Sequence, residues 1–281
     1  MEKYTVTVSG LDKEIKIRDY LRRLGFSVAL IAKVKFDGVY LNGESVHMRA
    51  PVKCGDTIEV HFPDEDSENV LPIKIDLDIL YEDERILVVN KPINMPVHPS
   101  RGNSLPTLAN AVRAYLDAPF VFRSITRLDR DTSGIVLIAK DRLAAAMLSE
   151  AMKRGEIEKN YLARVVGTPK KHKGRIEAPI EREAEGSIKR TVRADGKPST
   201  TEYELVSVDT DGNALMRVRP LTGRTHQIRV HMAHIGHPLL GDFLYGTRIT
   251  GKTYCLHCSS LSFPHPSNGE IMTVSCKNDN I

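Results

Sequence analysis

The chain has 281 residues, 41% of them hydrophobic and 27% charged, with 40 Lys and Arg against 36 Asp and Glu. That length suits one large domain plus a small one, and that composition suits a soluble globular protein, not a disordered or fibrous one. Four cysteines are too few for a disulfide scaffold, no apolar run approaches the roughly 18 residues of a membrane helix, and a net charge of +4 permits a polyanionic partner without requiring one.

Residues 1–8 alternate as a short strand and lack the apolar core of a signal peptide, which predicts a cytoplasmic protein; a monomer is the default expectation. Asp12 is placed to cap a helix running to Leu24, with Ile17, Leu21 and Leu24 as its buried stripe and Gly25 as its stop. Arg18 and Arg22 then share another face. Ser27 caps a second helix carrying Leu30, Ile31 and Val34, with Lys33 and Lys35 turned outward. Turn signals at Asp37-Gly38 and Asn42-Gly43 bracket Val39-Tyr40-Leu41, and Gly55-Asp56 precedes a strand over 57–62. Residues 63–69 are acidic, polar and free of aliphatics. They predict a linker over 63–74 between a small unit, 1–62, and a large one, 75–281, with the small unit moving relative to the rest.

The large unit opens with a strand, a charged turn and a second strand stopped by Pro92; Asn94 follows at a position that tolerates positive φ, then Val97-His98-Pro99. Leu108, Val112 and Tyr115 space a helix over 105–116. Next comes the stretch Ser124-Ile125-Thr126-Arg127-Leu128-Asp129-Arg130-Asp131-Thr132-Ser133-Gly134, feeding the strand 135–139. Asp and Thr are ordinary turn residues, yet a carboxylate between two arginines on a polar turn also suits the presentation of a reactive group. Nearby cations lower a carboxylate pKa by roughly 1–3 units, so Asp129 is expected as an anion, a nucleophile or base rather than an acid.

A helix through Met147, Leu148 and Met152 ends at Gly155, and Lys159-Asn160-Tyr161 begins another strand. The Lys- and Arg-rich residues 169–200 read as loops and turns, facing either a polyanion or solvent. In the stretch 221–238, Thr225 is placed to cap a helix with Ile228, Met232 and Ile235 on its apolar face. Arg224 precedes that cap, and Arg229 lies beside the apolar face, where an arginine usually has a carboxylate partner. His226, His231, His234 and His237 have workable metal spacing, but no acidic ligand accompanies them before Asp242, so no metal is expected. Cys255 and Cys258 fit an ordinary strand.

Arg127-Leu128-Asp129-Arg130-Asp131-Thr132-Ser133-Gly134 resembles the signature of the RluA-type pseudouridine synthases, which begins His-Arg-Leu-Asp and whose Asp is catalytic; here Thr126 stands in place of the His. Lys159-Asn160-Tyr161 is similar to the family's Lys-x-Tyr motif, and Gly223-Arg224-Thr225-His226-Gln227-Ile228-Arg229-Val230-His231 to its other long block. Lys91-Pro92-Ile93-Asn94 departs from Lys-Pro-x-Gly only at Asn94. Together the blocks run from about Ile79 to Pro266. The resemblance implies an α+β catalytic domain with a mixed, mostly antiparallel central sheet, flanking helices and a basic cleft, working without cofactor or metal. It implies Asp129, Tyr161 and Arg229 as catalytic residues, with Arg229 paired to Asp129 and Tyr161 stacked on the target uracil. Arg127, Arg224 and His226 would contact the RNA. Residues 1–62 resemble the small α/β RNA-binding domain named after the fourth protein of the small ribosomal subunit, through Arg18, Leu21, Gly25, Ser27, Ile31, Gly38, Val39, Asn42-Gly43, Val52 and Gly55-Asp56. Arg18, Arg22 and Lys33 would be its RNA contacts.

The expected function is isomerisation of uridine in structured RNA, ribosomal ahead of transfer RNA, with the target nucleotide flipped out. Two rivals are a magnesium-dependent phosphotransferase, since Asp129-Arg130-Asp131-Thr132 has an Asp-x-Asp-x-Thr look, and a non-enzymatic RNA-binding protein.

Overall fold

The computed structural model describes residues 2–34, 38–63, 70–99, 106–116, 121–249 and 253–278. Its N-terminal part comprises β1 (Glu2–Thr7), β2 (Ile15–Lys16), α1 (Ile17–Arg23), α2 (Val28–Lys33), β3 (Val39–Leu41), β4 (Glu44–Ser45), β5 (Pro51–Val52) and β6 (Thr57–Phe62). Four of these strands form an antiparallel sheet in the order β1-β6-β3-β4. β6 alternates strictly, so Ile58, Val60 and Phe62 share one face and join Ile17, Tyr20, Leu21 and Leu30 in a separate apolar cluster. Ser27 caps α2 by accepting from the Leu30 amide at 3.1 Å. α1 starts later than an Asp12 cap predicts, because Ile15 and Lys16 are extended and paired with Val52 and Pro51. Lys35, Asp37 and the acidic run 64–69 lie outside the described residues.

The remainder comprises β7 (Asp78–Glu82), β8 (Ile86–Lys91), α3 (Leu108–Leu116), β9 (Arg123–Ser124), β10 (Ser133–Ala139), α4 (Arg142–Arg154), β11 (Glu158–Val165), β12 (Lys173–Glu177), β13 (Ile180–Arg182), β14 (Arg190–Val192), β15 (Thr200–Val208), β16 (Ala214–Pro220), α5 (Gln227–His234), β17 (Leu256–Pro264) and β18 (Ile271–Ser275). A ten-stranded sheet runs β12-β15-β16-β11-β17-β10-β8-β7, with β18 added to β17 and β9 to β10. Its pairings are antiparallel except β10 with β17. This is the expected mixed, mostly antiparallel sheet. β10 is buried along its whole length, which its unbroken apolar run Ile135 to Ala139 anticipates.

Two further expectations are corrected. Residues 169–200 are not loops throughout: they hold β12, β13 and β14, in which Ile176 and Ile180 are buried and most of the charged side chains are exposed or half-exposed. Thr225 does not cap α5. The cap position is His226, in a left-handed conformation with φ of 57°, and the preceding turn is tied instead by buried Gln227. Its Oε1 accepts from Thr222 Oγ1 at 2.7 Å and the Arg224 amide at 3.0 Å, while its Nε2 donates to Thr200 O and Thr201 Oγ1, both at 2.9 Å. The N-terminal sheet also packs against α4. Leu143 of α4 is buried in the N-terminal cluster, Met147 lies against Gly25, and the Arg142 guanidinium sits 5.3 Å from the Phe62 ring centroid while Nη2 donates to Pro63 O at 2.6 Å.

Candidate active site

The loop between β9 and β10 is fixed at both ends before it presents anything. Buried Thr126 accepts the Leu137 amide on Oγ1 at 2.9 Å, so the residue found where the resembling signature has His anchors the loop to β10. Gly134 closes the other end at φ 111°; a Cβ there would lie 2.3 Å from Cys258 O, so only glycine allows β10 to meet β17 here. The loop's middle is held from below by Lys91. This fully buried ammonium donates to Pro92 O at 2.7 Å, Met95 O at 2.8 Å and Arg130 O at 3.0 Å, joining the Asn94 turn to the residue after Asp129. Burial pushes its pKa down to about 7 against the pull of Asp131 and Asp129. Asn94 adopts the positive φ, 58°, expected of it.

Asp129 is left partly open, its side chain 30% exposed. The two arginines beside it in sequence do not pair with it. Arg127 points to solvent, and Arg130 forms a bidentate pair with Asp131 at 2.9 and 2.8 Å. The cation that faces Asp129 comes from α5: Arg229 Nη1 lies 3.6 Å from Asp129 Oδ2. Arg229 is itself only 4% exposed and is clamped by Asp242, Nε to Oδ2 at 2.7 Å and Nη2 to Oδ1 at 2.8 Å. Its guanidinium also stacks 4.1 Å from the Tyr254 ring centroid and 4.9 Å from that of Tyr245. Asp242, wholly buried, additionally accepts the amides of Leu244 and Tyr245. The geometry therefore gives Arg229 two carboxylate neighbours. Asp242 holds it and Asp129 receives its free edge.

His226 completes the cluster, with Nε2 3.9 Å from Asp129 Oδ2 and Nδ1 2.7 Å from the Tyr245 hydroxyl. That hydroxyl accepts the Arg190 amide at 2.9 Å, which leaves its own hydrogen for Nδ1 and places the imidazole hydrogen on Nε2, toward Asp129. Burial lowers the His226 pKa, partly opposed by Asp129. Tyr161, on β11 opposite Cys258, is only 7% exposed. Burial raises its pKa well above the ordinary phenol value, with smaller upward pushes from Cys258 and Asp129, so it rests as the neutral phenol. Tyr254, whose hydroxyl lies 3.2 Å from Thr132 Oγ1, is likewise raised by burial.

The fold thus brings Asp129, Arg229 and His226 together, with Tyr161 close enough to feel the Asp129 charge. Arg224 is exposed on the turn before α5. Arg127 is exposed on the Asp129 loop, and Arg18, Arg22 and Lys33 are exposed on α1 and α2. Sequence reasoning assigns no site role to Lys91, Asp242, Tyr245 or Tyr254, and no common local pattern marks them. Both nitrogens of buried His231 are occupied, by Thr201 Oγ1 and Ala178 O at 2.9 Å each, which removes it as a metal ligand. Asp131 has both oxygens on Arg130, so the Asp-x-Asp pair offers no open cradle for magnesium. Among the described residues no group of His, Cys, Asp and Glu is arranged to hold a metal ion, and no helix is long and apolar enough to cross a membrane.

The RNA pseudouridylate synthase family model matches residues 85–234. The chain is 41% identical over 263 residues to the uncharacterised RNA pseudouridine synthase YjbO of Bacillus subtilis, covering 91% of this chain and 93% of that one. It is 36% identical over 260 residues to ribosomal large subunit pseudouridine synthase D of Xanthomonas campestris pv. campestris, covering 86% and 78%. The solved structure of human RNA pseudouridylate synthase domain containing 1 superposes with a TM-score of 0.62 at 28% identity, over 73% of this chain and 85% of that one. The chain belongs to the RNA pseudouridylate synthase family, the isomerases of uridine in RNA.

Proposed function

We propose that this enzyme isomerises uridine in structured ribosomal RNA, with Asp129 as the group that acts on the ribose. The observation that carries the reading is Asp129 itself, a partly exposed carboxylate whose nearest cation, Arg229 at 3.6 Å, is locked in place by a buried partner. A carboxylate held in this way is preorganised for a centre that develops positive character, the anomeric carbon as its bond to nitrogen breaks. Asp129 attacks that carbon or promotes elimination beside it. The bond from C1′ to N1 breaks and the uracil turns; C5 then bonds to C1′ as the Asp129–C1′ bond breaks or the ribose proton taken by Asp129 returns, the C5 proton leaves, and N1 takes up a proton.

Tyr161, neutral at rest, serves as an aromatic contact for the flipped base. Such stacking is worth about 1–3 kcal/mol and offsets part of the few kcal/mol needed to extrude a nucleotide. Arg127 occupies the space the base vacates, and Arg224 and His226 line its entry. The N-terminal unit, with Arg18, Arg22 and Lys33 outward, adds a second RNA contact whose affinity falls with salt. Ribosomal RNA is preferred over transfer RNA because relatives 36% and 39% identical to this chain carry the name of a large-subunit ribosomal enzyme.

The test is tritium release from RNA labelled at C5 of uridine, prepared from cells lacking this protein and separated into large-subunit ribosomal, small-subunit ribosomal and transfer fractions. Release from the large-subunit fraction is expected. Release from transfer RNA alone would overturn the substrate assignment.

A further inference from the structure

An open cleft lies between the β13–β14 hairpin and the turn at residues 223–225, and Arg190, Lys197 and Arg224 line it with a single carboxylate, Glu181. Elsewhere on this hairpin Lys189 pairs with Glu183 at 2.8 Å and Arg193 with Asp195, while Arg182 Nη1 donates to Ser187 O. Among the described residues none of the three cations in the cleft has a carboxylate within ion-pair distance. Arg224 Nε reaches only Pro198 O, at 3.3 Å, and the buried Nε of Arg190 has no hydrogen-bond partner. Glu181 turns back to accept the Arg182 amide at 2.8 Å.

A buried donor left unpaired costs stability unless a ligand meets it. Two guanidinium forks and one ammonium around an open space match a tetrahedral oxyanion, which arginine binds in bidentate fashion and lysine as a point charge. The cleft is also wired to the active site. The Arg190 amide donates to the Tyr245 hydroxyl, which meets His226, which faces Asp129.

We propose that this cleft is a phosphate subsite that grips the RNA backbone beside the nucleotide entering the Asp129 site, with Arg190 and Lys197 as binding residues. The proposal rests on the RNA-isomerase reading above. Gripping the adjacent phosphodiester would hold the strand while its base is extruded, so the contact favours binding over the chemical step.

The experiment measures binding of C5-tritiated large-subunit ribosomal RNA by the full chain across a salt series from about 50 to 300 mM, alongside tritium release, for wild type, Arg190→Gln, Arg190→Lys, Lys197→Gln and the control Lys153→Gln. Each Gln substitution in the cleft should reduce the salt slope of binding by about 1 and raise KM several-fold with kcat near wild type. Arg190→Lys and Lys153→Gln should keep the wild-type slope. Wild-type slopes in both Arg190→Gln and Lys197→Gln would overturn the subsite. Absence of tritium release from the wild type would instead overturn the isomerase reading, and the slopes would still decide the cleft.

Discussion

At the scale of single residues, two buried cations set the account apart from a list of motif positions. Arg229 is shared between Asp242, which clamps it, and Asp129, which it faces. Removing the guanidinium strands Asp242 in the core, so Arg229→Met should cost about 3–5 kcal/mol in urea unfolding. Arg229→Lys keeps the charge but not the fork, and should fold while losing roughly 10²-fold in kcat through misplacement of Asp129. Lys91 makes a prediction about pH. Its pKa falls to about 7 in the folded protein, against a value near 10.4 when unfolded, so between these limits the unfolded chain binds more protons and stability must rise with pH. Relative to Lys91→Met, the wild type should gain up to about 1.4 kcal/mol per pH unit above pH 7. Equal slopes for the two proteins would contradict this. Asp129 is legible as a poised carboxylate on its polar turn, whereas its role and that of Arg229 come from the resemblance of their two sequence blocks to the family's. Lys91, Asp242 and Tyr254 could not be assigned a place in the site, because their convergence depends on contacts between distant strands and loops that no local spacing encodes.

At the scale of elements, the site is a loop whose two ends are set by strand pairing. At Gly134 conformation and packing act together, since its φ of 111° and its contact with Cys258 both forbid a side chain. Gly134→Ala should therefore destabilise by well over 2 kcal/mol and abolish tritium release. Gly155 also has positive φ, at the end of α4, but nothing lies within 4 Å of its missing Cβ. Gly155→Ala should cost only about 1 kcal/mol and leave activity intact, a contrast that thermal unfolding resolves. β8, β10, the start of β11 and the end of α4 at Gly155 are legible from apolar runs and stop signals, whereas β15 and β16 have no reading from sequence. The short strands β12, β13 and β14 are not legible either, because each buries too few side chains to show a period against a charged background. The start of α5 is missed for a related reason: the turn is fixed by Gln227 reaching β15, a long-range contact, and not by a local Thr225 cap.

At the scale of the whole molecule, composition marks where one apolar cluster ends and the next begins but says nothing of how they meet. The acidic run suggests a unit free to move, whereas α4 lends Leu143 to the N-terminal cluster and Arg142 to Phe62. A helix with two apolar faces serving different clusters shows a single blurred stripe in sequence. Leu143→Ala should cost about 2–5 kcal/mol, and hydrogen exchange should quicken in α1 and β6 while β10 stays protected. Equal loosening of β10 would mean that the two clusters unfold as one.

The central claim is that Asp129 performs the chemistry rather than supporting the fold or the RNA contact, and it is tested by substituting that one carboxylate. Asp129→Asn is nearly isosteric and leaves the Arg229–Asp242 clamp in place. Single-turnover tritium release from C5-labelled large-subunit ribosomal RNA should be lost in this variant, while unfolding midpoint and RNA affinity stay at the wild-type level. Release at a rate near that of the wild type, with binding unchanged, would contradict the account and move the reacting group elsewhere.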